Sequence, residues 1–468
     1  MTASLRAAPV SATPKNTTPP TTSPRIPSKP SAPKKSPYIL ASEAIQSHDS
    51  KKLAAVVVQQ GANLSSDDGT TLLMLATSRG DAQIMQWLIG QGANANAVAK
   101  DGNTALMEAA HKGSVPLMQP LLDKGAQVNV ADNAGVTALM EAAHSNHADA
   151  VQVLLDKGAD LTAKDRSGFT ALMIAAYSAS PPVLQTLLDK KADLEVQSVK
   201  GHTALMEAAY GRNTDTLRFL LSKGASIKAV DEDGFTALMV AAGSNNRTNV
   251  ATLIEAGSDI NARTTKGFTP LMQAASADNV SILRLLVDKG ANLDLRTEGG
   301  ANALLVATFG GRLAATRFLL GCGQSVNCND EENRTPLMGA AFSKNPELVA
   351  LLLDNWASVN AQSKSGSTAL MQAAFRGNPQ IISALASAGA SINARTAEGV
   401  TALMQAAYSG SLPCVRLLLE RGADVAAVDG KGRTALSLAT KQKHTEIVNL
   451  LKKAGAESLA IPDNPQPK

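Results

Sequence analysis

The chain has 468 residues, of which 44% are hydrophobic, 3% are aromatic and 18% are charged, and its formal net charge is +4. This composition supplies a large apolar core and excludes collagen-like, disulfide-stapled and mostly disordered classes of protein. Because no stretch of about 18 consecutive apolar residues occurs and the N-terminus lacks the apolar region of a secretory signal, we predict a soluble protein without a transmembrane segment.

The first 37 residues differ in composition from the rest. They contain six basic residues, no acidic residue and nine of the 21 prolines, and they cannot bury enough apolar surface to offset the entropy of ordering. We therefore predict a disordered tail over residues 1–37, with an organelle-targeting segment as the alternative. The remainder has 38 basic and 40 acidic residues, and the lack of a cationic excess there argues against nucleic-acid binding.

Beyond the tail, the sequence repeats with a period of 33 residues. Eleven of twelve marker positions hold Thr, and the exception is Asn302. Every unit has Leu two residues after the marker and Ala five residues after it. The marker positions are 71, 104, 137, 170, 203, 236, 269, 302, 335, 368, 401 and 434.

Each unit contains two helix signals. The marker Thr follows a Gly-containing turn and is predicted to cap a short helix that carries a pair of alanines, as in residues 104–110. A second apolar run, such as residues 151–155, ends at Gly158, where glycine adopts a left-handed backbone most easily. Lys191 and Trp356 occupy this glycine position, so we predict a turn there that is strained or rebuilt. One unit cannot bury its apolar face alone, so the units must stack.

These phrases resemble the ankyrin repeat family. The motifs are Gly-x-Thr-Ala-Leu-Met-x-Ala-Ala and Leu-Leu-x-x-Gly-Ala-Asp/Asn, and the resemblance covers residues 38–457. It implies an all-α repeat solenoid of stacked helix-turn-helix units with extended, β-hairpin-like loops. Met replaces the family's usual His in ten of twelve repeats. We therefore expect these methionines in the core, and apolar packing rather than a polar network between neighbouring repeats.

The ends of the array depart from the repeat pattern. Residues 38–66 keep only the second-helix signature and form an atypical capping repeat, and twelve repeats follow over residues 67–457. The last of these has a polar outer face suited to a C-terminal cap. Residues 458–468 are predicted to be a disordered tail. A capped solenoid has no need to self-associate, so we expect a monomer.

The residues that vary between repeats carry the functional prediction. In the ankyrin family, the residue before the marker Thr and the residue seven after it face a concave groove that usually contacts partners. Nine of the 14 aromatic residues fall in these two columns, and aromatic side chains are enriched in binding hot spots. The candidate protein-binding residues are Phe169, Tyr177, His202, Tyr210, Phe235, Phe268, Phe309, Phe342, Phe375 and Tyr408, together with His111 and His144.

Other functions are less well supported by the sequence. The rings could instead pack between first helices and stiffen the stack, and this alternative stays open. His111 and His144 lie on neighbouring helices, about 8–10 Å apart, too far for both to bind one metal ion. No phosphate loop, Cys-x-x-Cys motif or nucleophile elbow is present. We predict a non-enzymatic scaffold with no cofactor and no metal; a membrane-associated scaffold that uses the basic tail is the alternative.

Three cysteines bear on the compartment. Cys322, Cys328 and Cys414 show no metal-ligand spacing and leave one thiol unpaired in any disulfide scheme. A reducing compartment is the simpler interpretation, and we predict a cytoplasmic protein with structural thiols.

Overall fold

A computed structural model describes residues 35–211 and 213–455. Over these residues the chain forms 26 helices in 13 consecutive pairs. The first helices of the pairs are α1 Pro37–Gln46, α3 Leu72–Arg79, α5 Ala105–His111, α7 Ala138–His144, α9 Ala171–Ser178, α11 Ala204–Tyr210, α13 Ala237–Gly243, α15 Pro270–Ser276, α17 Ala303–Phe309, α19 Pro336–Ser343, α21 Ala369–Arg376, α23 Ala402–Ser409 and α25 Ala435–Lys441. The second helices are α2 Ser50–Gln60, α4 Ala82–Gly90, α6 Val115–Asp123, α8 Ala148–Asp156, α10 Pro181–Asp189, α12 Thr214–Ser222, α14 Arg247–Glu255, α16 Val280–Asp288, α18 Leu313–Gly321, α20 Pro346–Asp354, α22 Pro379–Ser387, α24 Leu412–Glu420 and α26 Thr445–Lys453.

The pairs stack into an all-α solenoid. First helices pack on first helices and second helices pack on second helices, so the molecule has two parallel rows of helices. Between pairs, the loops fold into hairpins with isolated antiparallel bridges such as Val98 to Thr104. No helix in the described part of the chain has both the length and the apolar character to cross a membrane.

The marker residues cap the first helices as predicted. The hydroxyl of Thr104 accepts a hydrogen bond from the backbone N–H of Met107 at 3.2 Å, and Asn302 does the same for Leu305 at 3.0 Å. Each cap satisfies one of the backbone donors that the first turn of a helix leaves free.

The second helices end in the left-handed backbone conformation that the sequence predicts. Gly158 has φ +84°, and Lys191 and Trp356 adopt the same left-handed region with φ 70° and 64°. Their turns therefore keep the common geometry and are strained rather than rebuilt, at a cost of about 1–2 kcal/mol each.

The methionine column lies in the core. All ten of its methionines are buried, with at most 4% of their surface exposed, and the equivalent Leu305 is fully buried. The prediction of a core role is confirmed. The column sits one residue after the repeated Leu, and nine of its ten methionines belong to the two clusters of buried apolar side chains that form the core.

The expectation that apolar packing replaces a polar network between repeats is wrong. The side-chain N–H of Asn96 donates to Gly125 O at 2.9 Å, and its oxygen accepts from Gln127 N at 2.7 Å. Both atoms belong to the next repeat. This two-bond clamp recurs at Asn63, Asn129, Asn327, Asn360 and Asn393. The substitution of Met for His leaves these loop amides untouched, so polar bonds and apolar packing both join the repeats.

The hairpin tips add a row of backbone hydrogen bonds. Lys100 N donates to Asp68 O at 2.8 Å, Asn133 N donates to Asp101 O at 2.7 Å, and an equivalent bond follows in each later repeat. The predicted tails fall mostly outside the described residues, which exclude 1–34 and 456–468. Helix α1 begins at Pro37, the residue at which we expected the N-terminal tail to end.

Candidate functional site

Six of the candidate rings lie in the last turn of a first helix, seven residues after the marker; we call them the ring column. Five are exposed: Tyr177 by 48%, Tyr210 by 57%, Phe342 by 37%, Phe375 by 41% and Tyr408 by 46%. The sixth, Phe309, is half-buried. Since first helices stack directly on one another, the column presents a line of aromatic surface along one side of the solenoid.

Two tyrosines of the column form a stacked pair. The ring centroids of Tyr177 and Tyr210 lie 6.0 Å apart with an interplanar angle of 21°. This offset geometry is worth about 0.5–1.5 kcal/mol beyond the area it buries. The pair is therefore a preorganised aromatic surface, although roughly half of each side chain is open to solvent.

The turns that follow these two tyrosines are rebuilt. Most repeats place a left-handed residue two positions after the ring column, such as Gly113 or Asn146. Ala179 occupies that position after Tyr177 and is extended, with φ −102° and ψ 175°. After Tyr210 the chain is already extended at Gly211, with φ −61° and ψ 166°. These turns leave backbone carbonyls that need new partners.

A polar side chain from the next repeat satisfies each rebuilt turn. Thr216 donates its hydroxyl to Ala179 O at 2.8 Å, and Asn249 donates its amide to Gly211 O at 3.1 Å. Both side chains are fully buried. Neither residue is among those predicted from the sequence. Their signal is a Thr and an Asn in a second-helix column that holds apolar residues such as Val183 in other repeats.

An open cavity of about 1060 Å³ lies beside the tyrosine pair. Tyr177, Tyr210 and Gly211 form one wall, and residues 243–248 with Ala277 form the other. Its size follows from the sequence of the ring column, because Gly243 supplies no side chain next to Tyr210. A partner side chain could enter where the column lacks a ring.

Further along, arginines lie over two of the phenylalanines. The Arg376 guanidinium is 4.6 Å from the Phe342 ring centroid, and that of Arg334 is 5.3 Å from Phe309. Phe309 also covers the backbone of Gly339 on the next first helix. Packing between first helices, the structural alternative, thus describes Phe309. Tyr177, Tyr210 and Phe342 also make contacts between first helices, but they remain exposed to solvent.

The candidates in the column before the marker are less exposed. Phe169, Phe235 and Phe268 are half-buried, and the last two share a cleft of about 210 Å³. His202 is held between two carboxylates, with Nδ1 2.8 Å from Glu207 Oε1 and Nε2 3.5 Å from Asp231 Oδ2. These contacts engage both ring nitrogens, so His202 helps to hold the hairpin in place and is not only a surface residue.

His111 and His144 lie at the start of the array. Nδ1 of His111 is 2.9 Å from Glu141 Oε2 and 3.1 Å from Ser145 Oγ, while His144 is exposed on the following first helix. His111 therefore pairs with a carboxylate of the next repeat. In the described part of the chain, no cluster of three or more His, Cys, Asp or Glu side chains has a geometry suited to a metal ion.

The region around His111 is acidic. Four carboxylates, from Asp101, Glu108, Asp132 and Glu141, line a cleft of about 320 Å³ together with the imidazole. The first-helix surface therefore changes character along the solenoid, from carboxylates in the first repeats to rings from Tyr177 onward.

The three cysteines are free thiols; Cys322 and Cys328 are half-buried and Cys414 is buried. Burial raises the pKa of the Cys322, Cys328 and Cys414 thiols, which favours the unreactive protonated form.

Comparison with known proteins agrees with the geometry. A family model described as ankyrin repeats (3 copies) matches residues 41–132, 130–198, 172–264, 253–330, 311–396 and 390–460. No curated protein matches the chain. The matched segments together run through every helix pair of the solenoid.

Proposed function

The chain belongs to the ankyrin repeat family, and we propose that it is a non-enzymatic binding protein that holds a partner protein against its ring column. Ankyrin repeats generally act as protein–protein interaction modules. The contact is made on the first-helix side of the solenoid, at the rings seven residues after the marker. It is compatible with an adaptor, an inhibitor or a sequestering factor, in each case acting as a cytoplasmic monomer.

The exposure of the ring column is the observation that carries the proposal. An aromatic side chain presents about 150–250 Å², so the exposed fractions of the five open rings amount to about 450 Å² of aromatic surface. A standard interface covers about 800 Å² on each partner. The rings alone would supply about half of that area, in a form that loses little side-chain entropy on binding.

The open rings form two groups. Tyr177 and Tyr210 make the first, and Phe342, Phe375 and Tyr408 make the second. Gly243 and Ser276 separate them. We expect a partner that spans both groups and places a polar or amphipathic side chain in the cavity beside Tyr210, because the tyrosine rings form one wall of this cavity and the polar residues 244–248 form the other.

The test uses three forms of the full chain. One carries Tyr177→Ala, Tyr210→Ala, Phe342→Ala, Phe375→Ala and Tyr408→Ala. A matched control carries Trp356→Ala, which removes a larger ring that is 88% exposed but lies at the end of α20, outside the column. Thermal melting is measured for wild type and both variants before any binding experiment.

Proteins captured from a native lysate are then identified, and the affinity of each form is measured with the purified partner. We expect wild type and Trp356→Ala to bind equally and the five-ring variant to lose at least about tenfold in affinity. Loss of the Tyr177–Tyr210 stacking and of the Arg376–Phe342 contact should lower its melting temperature by only a few degrees. A five-ring variant that melts normally and retains the partner would exclude the ring column. A large fall in melting temperature would instead assign the rings to packing.

A further inference from the structure

Charge is distributed unevenly over the repeats, and an excess of basic residues lies in one set of turns. We call the residues seven to eleven positions after each marker the turn face, because they end the first helix and lead into the second. The turn face has nine basic and two acidic residues, whereas the other residues from position 38 onward have 29 basic and 38 acidic residues. Its two acidic residues, Asp81 and Asp278, accept hydrogen bonds from backbone N–H groups. The basic excess therefore lies on the side of the solenoid that carries the ring column.

Three consecutive turns of this face combine rings with cations. The pairs are Phe309 with Arg312, Phe342 with Lys344, and Phe375 with Arg376. No acidic residue occurs in these turns, which we call the cation–ring patch; they comprise residues 309–313, 342–346 and 375–379. A similar neighbour occurs at the first group of rings, where Arg247 lines the cavity beside Tyr210.

The Arg376 guanidinium is held in place but has no carboxylate partner. It lies 4.6 Å from the Phe342 ring centroid, and its Nε donates to Phe342 O at 3.0 Å. Among the described residues, no carboxylate oxygen lies within 4.0 Å of its nitrogens. Arg334, by contrast, contacts Asp330 at 2.6 Å. The terminal nitrogens of Arg376 can therefore donate to an acceptor outside the chain.

Arg312 and Lys344 are also without a carboxylate within 4.0 Å in the part of the chain that the structure describes. Arg312 folds back over the end of α17, since a Cβ atom built on Gly310 would lie 3.4 Å from its Nε. Lys344 follows α19 directly, is exposed, and has a left-handed backbone with φ 65°. All three cations of the patch thus remain uncompensated next to the rings.

The spacing of these cations indicates the shape of the partner that they fit. They occur once per repeat, and packed helices are about 8–10 Å apart. In a polyproline II segment every third residue lies on one face, and three residues advance about 9 Å. Phosphates along one strand of a nucleic acid follow one another at about 3.4 Å. One cation per repeat therefore favours an extended protein segment over a nucleic acid.

We infer that the cation–ring patch binds an extended acidic segment of the partner, in which a carboxylate recurs about every third residue and apolar side chains lie between the carboxylates. The carboxylates pair with Arg312, Lys344 and Arg376. The apolar side chains contact the open rings of Phe342 and Phe375. Hydrogen bonds between a guanidinium and a carboxylate are charge-assisted and directional, so the patch selects for acidic residues. This inference rests on the proposed function, because it takes the ring column as the binding surface.

Synthetic peptides test the chemistry of the segment. The probe is a fluorescently labelled peptide that repeats the triplet Glu-Leu-Pro five times, because proline favours the polyproline II conformation. Matched peptides replace every Glu by Gln, or every Leu by Ser. Binding to the full chain is measured by fluorescence anisotropy. We expect the Glu-Leu-Pro peptide to bind about tenfold more tightly than either matched peptide, with an affinity that falls several-fold in about 0.5 M salt.

Two variants of the full chain locate the contact. The patch variant carries Arg312→Gln, Lys344→Gln and Arg376→Gln. The matched control carries Arg284→Gln, Arg317→Gln and Arg416→Gln, which are exposed arginines of second helices outside the turn face. Both variants lose the same charge. We expect the patch variant to bind the Glu-Leu-Pro peptide about tenfold more weakly and the control to bind it like wild type.

Three results would overturn the inference. Equal binding of the Glu and Gln peptides to wild type would exclude recognition of charge, and this comparison does not depend on the folding of any variant. Equal losses in the patch variant and the control would show an effect of net charge alone. Tighter binding of a single-stranded DNA oligomer with the same number of negative charges would assign the patch to nucleic acid.

The proposed function is judged separately, by the partner captured from lysate and the five-ring variant. If that variant loses the partner while the peptides show no preference for Glu, the ring column binds a partner of other chemistry and only the present inference fails. If the five-ring variant melts normally and retains the partner, the proposed function fails and this inference fails with it.

Discussion

The Phe309 ring packs against Gly339, and substitution of this glycine by alanine tests that packing. A Cβ atom added to Gly339 would lie 2.9 Å from Cδ2 of Phe309 and 3.0 Å from the Phe309 backbone nitrogen. Real Cβ atoms essentially never approach a neighbour so closely. The ring must therefore shift, which disturbs its contact with the Arg334 guanidinium 5.3 Å from its centroid, and the Phe309 backbone must give way slightly as well.

Two effects of opposite sign decide the size of the change. Replacing a glycine inside helix α19 by alanine favours the helix by about 0.5–1 kcal/mol. Overpacking a filled site costs about 1–3 kcal/mol, and the displaced ring loses a cation–π contact worth about 0.5–1 kcal/mol. We therefore expect Gly339→Ala to lower the free energy of unfolding by about 2 kcal/mol, within a range of about 0.5–3.5 kcal/mol.

Urea unfolding followed by circular dichroism provides the measurement, with a double-mutant cycle as its control. In a Phe309→Ala background the ring is absent, so Gly339→Ala should be at least about 1 kcal/mol less destabilising than in wild type. Gly243→Ala is the matched substitution: it also lies in a first helix, but its Cβ would meet only Gln273 at 3.8 Å, and it should be neutral or stabilising. Equal effects of Gly339→Ala in both backgrounds would refute the packing argument.

Three further predictions concern the stack itself. Met206 is 1% exposed, so Met206→Ala should lower the free energy of unfolding by about 2–5 kcal/mol in urea titrations. Met206→Leu should lower it by less than about 1.5 kcal/mol. Equal effects of the two substitutions would contradict tight packing of the methionine column. Asn393→Ala removes a two-bond clamp and should destabilise by about 1–2 kcal/mol, with local hydrogen exchange faster at Asp424; unchanged exchange would exclude the clamp. Burial alone would raise the pKa of Asp429, but backbone N–H groups and the Arg433 guanidinium outweigh it and hold that pKa below its usual value. The resulting stability is present above about pH 4, the ordinary Asp pKa, and is lost as the pH falls. The difference in melting temperature between wild type and Arg433→Gln should therefore shrink from pH 7 to about pH 3. A constant difference would argue against the ion pair.

Much of the fold was predictable because it depends on neighbours in sequence. A threonine caps the backbone three residues away, and a position at the end of the second helix requires a left-handed backbone whether it holds Gly158 or Trp356. The period of 33 residues places methionine after methionine in one apolar layer. Such features need only local geometry and a regular stack, and both follow from the repeat.

The functional surface was predictable only as a set of columns. The sequence placed Phe309 and Phe375 in one class, yet the first packs over Gly339 and the second is open to solvent. The sequence did not indicate that His202 lies between two carboxylates. It also did not show that Ala179 lacks the common turn, because the consequence appears on another helix, where Thr216 supplies the missing hydrogen bond.

The sequence by itself thus determined the repeat unit, its helices, their caps and the buried layer, all of which arise from contacts within a turn or from a strict period. Only the tertiary structure decided which rings remain exposed, which loops are clamped and where carboxylates meet in one cleft. Those features depend on atoms of residues about one repeat apart, such as Asn393 and Asp424, which are 31 positions apart. Their contacts are set by the stacking of whole repeats, which a list of side chains does not specify.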